Sequence, residues 1–159
     1  MAYYIVNIGS NLGQRRLFLS KAMRAIGDEF GSFEMSHACE TEAQGFESEH
    51  KFLNLCMMFQ SESEPQDVLE KLQEIEKSIS VGSHRDENGR YIDREIDIDI
   101  VAVDDRVIET DRLTVPHPRL AEREGFLRPL AEIAPGWRHP ITGLTAREML
   151  DNLLEAENG

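Results

Sequence analysis

Apolar and polar positions alternate along this chain with two different periods, and their succession predicts an α+β fold. The run YYIVNI at Tyr3–Ile8 is apolar and closed by GSNLG, as in a buried strand that ends in a turn. Leu19, Met23, Ile26 and Phe30 then recur at helical spacing, which predicts an amphipathic helix from about Gln14. Glu34–Thr41 reads as a weaker strand, and TEAQGFESEHK as a polar loop. In FLNLCMMFQ almost every position is apolar, so this strand is expected to be covered on both faces.

Ser63 and Gln66 have capping-box spacing around Pro65, and Val68, Leu72, Ile75 and Ile79 supply the stripe of a second helix. VGSHRDENGR, rich in glycine and charge, reads as a mobile loop. A strand through IDIDIV follows, then a hairpin through Asp104-Asp105 into Arg106–Ile108. TVPHPRLAERE turns at its prolines and starts a short helix. Thr145 and Glu148 form another capping box ahead of a terminal helix through Met149, Leu150 and Leu153. The order strand, helix, strand, strand, helix, strand is the ferredoxin-like βαββαβ arrangement: one antiparallel sheet, here with an extra hairpin strand and C-terminal helices. No repeat or linker divides the chain, so a single domain over 1–159 is expected.

Composition narrows the function classes. A net charge of −13 disfavours nucleic acid and anionic lipid as partners. No apolar run reaches membrane-spanning length, and the start lacks a signal-peptide pattern. Cys39 and Cys56 have no C-x-x-C spacing and read as free cytoplasmic thiols. The expected state is a cytoplasmic monomer or weak homo-oligomer. After Lys77 every Lys or Arg position is Arg. Forked guanidinium groups suit a polyphosphate ligand, although a solvated basic surface explains the same residues.

The candidate chemistry centres on RYIDREIDIDIVAVDD. On a strand, Ile96, Ile98 and Ile100 face one way and Asp97 and Asp99 the other. The two Asp Cα atoms then lie roughly 6.5–7 Å apart. Their oxygens can converge on two cations about 3.5–4 Å apart, as in phosphoryl-transfer sites. Mg²⁺ suits carboxylate, water and phosphate ligands, and Arg90 and Arg94 nearby add the cations of a triphosphate clamp. A solvated edge strand in an acidic chain would also carry D-x-D. Asn54 is a polar amide inside an apolar strand, so it either satisfies a neighbouring loop or reads the edge of a heterocycle. His117 sits between prolines in TVPHPR, where it can meet phosphate or simply solvent. The P-loop, Rossmann, kinase and G-x-S-x-G signatures are all missing from the sequence.

IGSNLG, DREIDIDIV and RLTVPHPRLAER…PLAEIAP, in that order, resemble the 6-hydroxymethyl-7,8-dihydropterin pyrophosphokinase family of folate biosynthesis. The likeness runs from Tyr3 to Pro135. It implies a ferredoxin-like enzyme that moves pyrophosphate from ATP to the hydroxymethyl oxygen of the pterin and releases AMP. By this resemblance Asp97 and Asp99 hold two Mg²⁺, and Arg85, Arg90 and Arg94 join them as catalytic residues. Gln73, Glu76, Ile100, Arg112, Leu113, Thr114, His117 and Arg123 fall at ATP-contacting positions, and Thr41, Phe52, Asn54, Asp97 and Phe126 at pterin positions.

The chain departs from the family pattern at several points. Ile92-Asp93 replaces a Gly-Pro, Tyr91 a Trp, and Glu42-Ala43 a Pro pair, while the Arg-bearing loop is about two residues longer. Gly125 stands where the stacking Phe belongs, and Phe126 comes one position late. These departures leave two other readings open. One is a catalytically silent paralogue that binds nucleotide or pterin as a regulatory or interaction module. The other is an acidic interaction domain in which the Asp pair has no ligand.

Overall fold

The structure, a computed structural model, describes residues 1–42, 51–80 and 95–158. In chain order the elements are β1 (Ala2–Ser10), α1 (Arg15–Phe30), β2 (Phe33–Met35), β3 (Cys39–Thr41), β4 (Phe52–Ser61) and α2 (Pro65–Ile79). They continue with β5 (Asp97–Val103), β6 (Ile108–Glu109), β7 (Thr114–Val115), a 3₁₀ turn at Leu120–Glu122, α3 (Glu124–Ile133) and α4 (Ala146–Asn158). The main sheet has the order β2-β4-β1-β5, with β3 also on β4, and its pairings are antiparallel. This is the ferredoxin-like order expected from the succession of periods.

The two faces of the sheet bury separate cores. Tyr4, Val6, Ile8, Leu55, Met57, Ile98 and Ile100 pack with Leu19 and Ile26 of α1 and Val68 and Leu72 of α2. On the opposite face Ile5, Cys56, Val101 and Ala102 pack with Leu127 and Leu130 of α3 and Met149 and Leu150 of α4. Burying a large aliphatic or aromatic side chain contributes about 1.5–3 kcal/mol, so both layers hold the central strands in place. The isoleucines of IDIDI therefore face the α1/α2 core, as their alternation requires, and β4 is covered on both faces.

Four local expectations change. The stretch Glu34–Thr41 is not one strand: β2 and β3 pair with β4 in registers one residue apart. Between them Ser36 takes both backbone groups of Cys56, its N–H donating to the Cys56 carbonyl and its Oγ accepting from the Cys56 N–H, each at 2.9 Å. The Ser63/Gln66 box does not form. Glu64 occupies the N-cap of α2 without a side-chain bond, Pro65 fills the first turn, and the Ser63 N–H donates to Ser61 Oγ at 3.1 Å.

Asp104-Asp105 does make the turn after β5, but β6 pairs with β7 rather than with β5. The outer edge of β5 already has other partners: Glu76 accepts from the Ile98 N–H, and the Val101 carbonyl accepts from the His117 N–H. The short helix expected in TVPHPRLAERE is a 3₁₀ turn followed by the longer α3, which runs through Pro129. The Thr145/Glu148 box is present. The Glu148 N–H donates to Thr145 Oγ1 at 3.1 Å, and the Thr145 N–H donates to Glu148 Oε1 at 2.9 Å. The bond from the Thr145 N–H, followed by one from the Thr145 side chain, holds the Glu148 carboxyl below its ordinary pKa.

Candidate active site

Strand register builds the site. Asn54 of β4, Gly9 of β1 and Asp97 of β5 are cross-strand partners in one row, and Cys56, Asn7 and Asp99 form the next. Alternation puts all six on the α3/α4 face. Toward one end this face is apolar and covered by helices. Toward the other it becomes Asn7, Gly9, Asn54, Asp97 and Asp99, and the first turn of α3 reaches it with Gly125 and Phe126. A register shift between Ile5 and Val6 makes Val101 an extra residue in β5. Val101 and Ala102 can thus both enter the helix-covered core while Asp97 and Asp99 keep the common face.

Two pockets meet at this end of the sheet. The inner one is lined by Asn7, Gly9, Thr41, Glu42, Phe52, Asn54, Arg123, Gly125 and Phe126, together with Asp97 and Asp99. The outer one, about 430 Å³, lies along the β5 edge against α2 and the β7 loop. Its lining includes Leu69, Gln73, Glu76, Ile98, Ile100, Arg112, Leu113, Thr114, His117 and Pro118, and again Asp97 and Asp99. The two carboxylates thus stand where the pockets join.

Each pocket has its own supports. In the inner one, Asn54 is 6% exposed and its Nδ2 donates to Thr41 Oγ1 over a long 3.4 Å. That bond engages one N–H of an amide that can make four hydrogen bonds. Asn7, 2% exposed, donates from Nδ2 to the Gly125 carbonyl at 3.0 Å. The carbonyl is available because the residue one helical turn on is Pro129, which has no N–H to return to it. Phe126 is buried with its ring edge-on to His117, centroids 4.7 Å apart, and the Arg123 guanidinium lies 5.9 Å from its centroid.

In the outer pocket, Glu76 Oε2 accepts from the Ile98 N–H at 2.9 Å, which fixes the backbone between the two aspartates. His117 Nδ1 accepts from the Arg119 N–H at 3.1 Å, so its neutral ring carries the proton on Nε2. Burial, followed by the Arg123 charge, lowers the His117 pKa to about 4 against the opposing pull of Asp97. At neutral pH the ring is an uncharged donor. Arg112 Nη1 meets Glu70 Oε1 at 3.2 Å on the exposed rim.

Most of the expected site residues therefore separate between the two pockets. Gln73, Glu76, Ile100, Arg112, Leu113, Thr114 and His117 gather at the outer pocket, and Thr41, Phe52, Asn54 and Phe126 at the inner one. Arg123, matched to an ATP position, lines the inner pocket beside the aspartates. Arg85, Arg90 and Arg94 lie outside the described residues. Asn7 and Gly9 carry no expectation from the sequence, and Glu42 and Gly125 enter there only as departures from the family pattern. For Asn7 the signal was present: like Asn54, it is an amide inside an apolar run.

Among the described residues there is no group of three or more His, Cys, Asp and Glu able to hold a metal ion. The Asp pair alone still suits Mg²⁺, which is commonly bound by one or two carboxylates plus substrate phosphates and water. Fold and site thus define a class: a ferredoxin-like protein with two pockets that meet at a carboxylate pair.

Comparison with known proteins makes this specific. The family model for 7,8-dihydro-6-hydroxymethylpterin-pyrophosphokinase matches residues 5–135, and the chain belongs to that family. It is 38% identical over 141 residues to a 2-amino-4-hydroxy-6-hydroxymethyldihydropteridine pyrophosphokinase of Aquifex aeolicus, covering 89% of this chain and 86% of that one. The Porphyromonas gingivalis protein of that name is 39% identical over 143 residues, covering 88% and 95%. Among solved structures, a Plasmodium falciparum HPPK-DHPS superposes with a TM-score of 0.79 at 14% identity, over 99% of this chain. The present chain spans 45% of that longer protein, and the likeness concerns the fold. Among the described residues no helix is long and apolar enough to cross a membrane.

Proposed function

We propose that this protein transfers the pyrophosphoryl group of ATP to the hydroxymethyl oxygen of 6-hydroxymethyl-7,8-dihydropterin, giving AMP and the pterin diphosphate, in a Mg²⁺-dependent reaction. The observation that carries this reading is that Asp97 and Asp99 line both pockets at once. A group leaving a nucleotide in the outer pocket reaches an acceptor in the inner pocket only past these carboxylates.

The division of labour follows from the lining. The inner pocket takes the pterin, with Phe52 against its ring and the Asn54 amide and Thr41 reading its polar edge. The outer cleft takes ATP, with Leu69, Ile100 and Leu113 as apolar contacts. Gln73, Arg112, Thr114 and the Nε2–H of His117 are its polar contacts. Arg123, at the start of α3, sits beside the transferred phosphates, where the positive end of the helix adds to its charge. Mg²⁺ held by Asp97 and Asp99 would neutralise phosphate charge and align the acceptor oxygen. The protein's task is to hold that oxygen in line and exclude water. Glu76 contributes by fixing the main chain between Asp97 and Asp99. Arg85, Arg90 and Arg94 are assigned to the same step on sequence resemblance.

Phosphorus NMR of the protein with ATP, Mg²⁺ and the pterin tests this directly. AMP and a pterin diphosphate are expected. ADP would mean that a different phosphate bond breaks. Binding of both ligands without turnover would favour the silent paralogue, the second reading raised by the departures at Gly125 and in the Arg-bearing loop.

A further inference from the structure

Gly9 and Gly125 stand inside regular elements, a strand and the first turn of a helix, where glycine is less stable than alanine. Neither has a positive φ, so backbone conformation does not call for glycine at either position. Space does. A Cβ on Gly9 would lie 2.7 Å from Asn54 Oδ1 and 3.5 Å from Phe52 Cδ1. A Cβ on Gly125 would lie 2.7 Å from Asn54 Nδ2 and 3.1 Å from Thr41 Oγ1. The two glycines therefore close on opposite ends of one amide.

We propose that Gly9 and Gly125 are positioning residues, a two-sided seat that fixes the Asn54 amide for reading the pterin edge. The proposal rests on the assignment of the inner pocket to the pterin. Asn7 completes the seat. Its bond to the Gly125 carbonyl, which Pro129 leaves unclaimed, ties the start of α3 to the central strand. Gly125 thus has a function of its own: its missing side chain is the space that Asn54 occupies.

The atoms that a methyl group at 125 would displace belong to side-chain ends, not to backbone. The fold should therefore tolerate the change while the amide turns. The test compares Gly125→Ala, Asn7→Ala and Asn54→Ala with the unaltered protein, measuring KM for ATP and pterin separately, kcat, and melting temperature. Expected for Gly125→Ala is a rise in pterin KM of about tenfold, the scale of one mispositioned hydrogen-bonding group, with ATP KM within about twofold. Asn7→Ala inserts no bulk and loosens the same turn, so a smaller rise, about threefold, is expected in pterin KM alone. If Asn54→Ala raises pterin KM and Gly125→Ala does not, the seat is wrong. If Asn54→Ala leaves pterin KM unchanged, the pterin assignment of Asn54 fails and the seat fails with it. Parallel rises in both KM values with a lowered melting temperature would reduce Gly125 to a structural role and overturn the proposal.

Discussion

The two pockets that share Asp97 and Asp99 are built in different ways. Every inner position on β1, β4 and β5 is set by antiparallel register, so Asn54, Gly9 and Asp97 are neighbours because the strands pair as they do. The outer pocket is assembled from an edge strand, a helix and a loop, and its polar groups come from separate stretches of chain. Such a wall depends on individual bonds, notably those from Ile98 to Glu76 and from His117 to Val101. The inner pocket should therefore discriminate sharply, since a strand cannot shift without moving its core. The outer one should be forgiving at its rim and sensitive only where one bond holds the wall.

The largest effect is expected where the two constructions meet. Asp97→Asn and Asp99→Asn keep shape and remove charge, and each should lower kcat by about a hundred- to a thousandfold, the scale of removing a preorganised electrostatic group. Near-normal turnover of either variant with Mg²⁺ present would dismiss the carboxylates as the meeting point and leave two unrelated pockets.

Next in size is Glu76. Its carboxylate accepts the outward Ile98 N–H between the aspartates, so Glu76→Ala leaves that N–H to water and frees the edge to move. A loss of about tenfold in kcat/KM for both substrates is expected, because the shared aspartates shift together. Glu76→Gln, which keeps an acceptor, should lose much less. If the alanine variant raised only ATP KM, Glu76 would be a nucleotide contact and no support for the strand.

The comparison also accounts for what could be read from the chain. Alternation in IDIDI and in FLNLCMMFQ reported which residues share a face, and pairing of faces is what builds the inner pocket. Asn54 could be marked because an amide in an apolar strand needs a partner, and Asn7 answered to the same rule. Gly125 could not be interpreted from its position. Its meaning depends on the amide of a residue far away in sequence and on Pro129 one turn along the helix. Nor could pattern reveal that Ser36 would split a strand by taking both backbone groups of Cys56. Glu64 displaced the Ser63 box because Pro65 fixed where α2 begins. Short-range periodicity reports faces and caps, whereas bonds between distant segments decide edges and bulges.

His117 gives a pH test of the outer wall. Its pKa falls from 6.5 to about 4 on folding, mainly through burial, so the unfolded chain takes up a proton that the folded protein resists. The contribution to stability is then complete above about pH 6.5 and is lost as pH falls toward 4. His139 shifts in the same direction by burial, while Glu148 and Glu40, lowered by their hydrogen bonds, act at lower pH. His117→Gln should flatten the melting-temperature profile between pH 4 and 6.5 by removing part of the slope. An unchanged slope would mean that the ring is solvated and that the wall is looser than its geometry indicates.

The smallest effect is expected at Arg112. It is an exposed rim residue already paired with Glu70 at 3.2 Å, and such pairs contribute little in water. Arg112→Ala should raise ATP KM by about two- to fivefold at low salt, leave pterin KM alone, and lose most of its effect at high ionic strength. Glu70→Ala should act in the opposite sense, releasing the guanidinium toward the nucleotide and lowering ATP KM. A salt-independent loss as large as that of the Asp97 variant would make Arg112 an inward clamp. The contrast between a register-built pocket and a forgiving rim would then fail at its most exposed point.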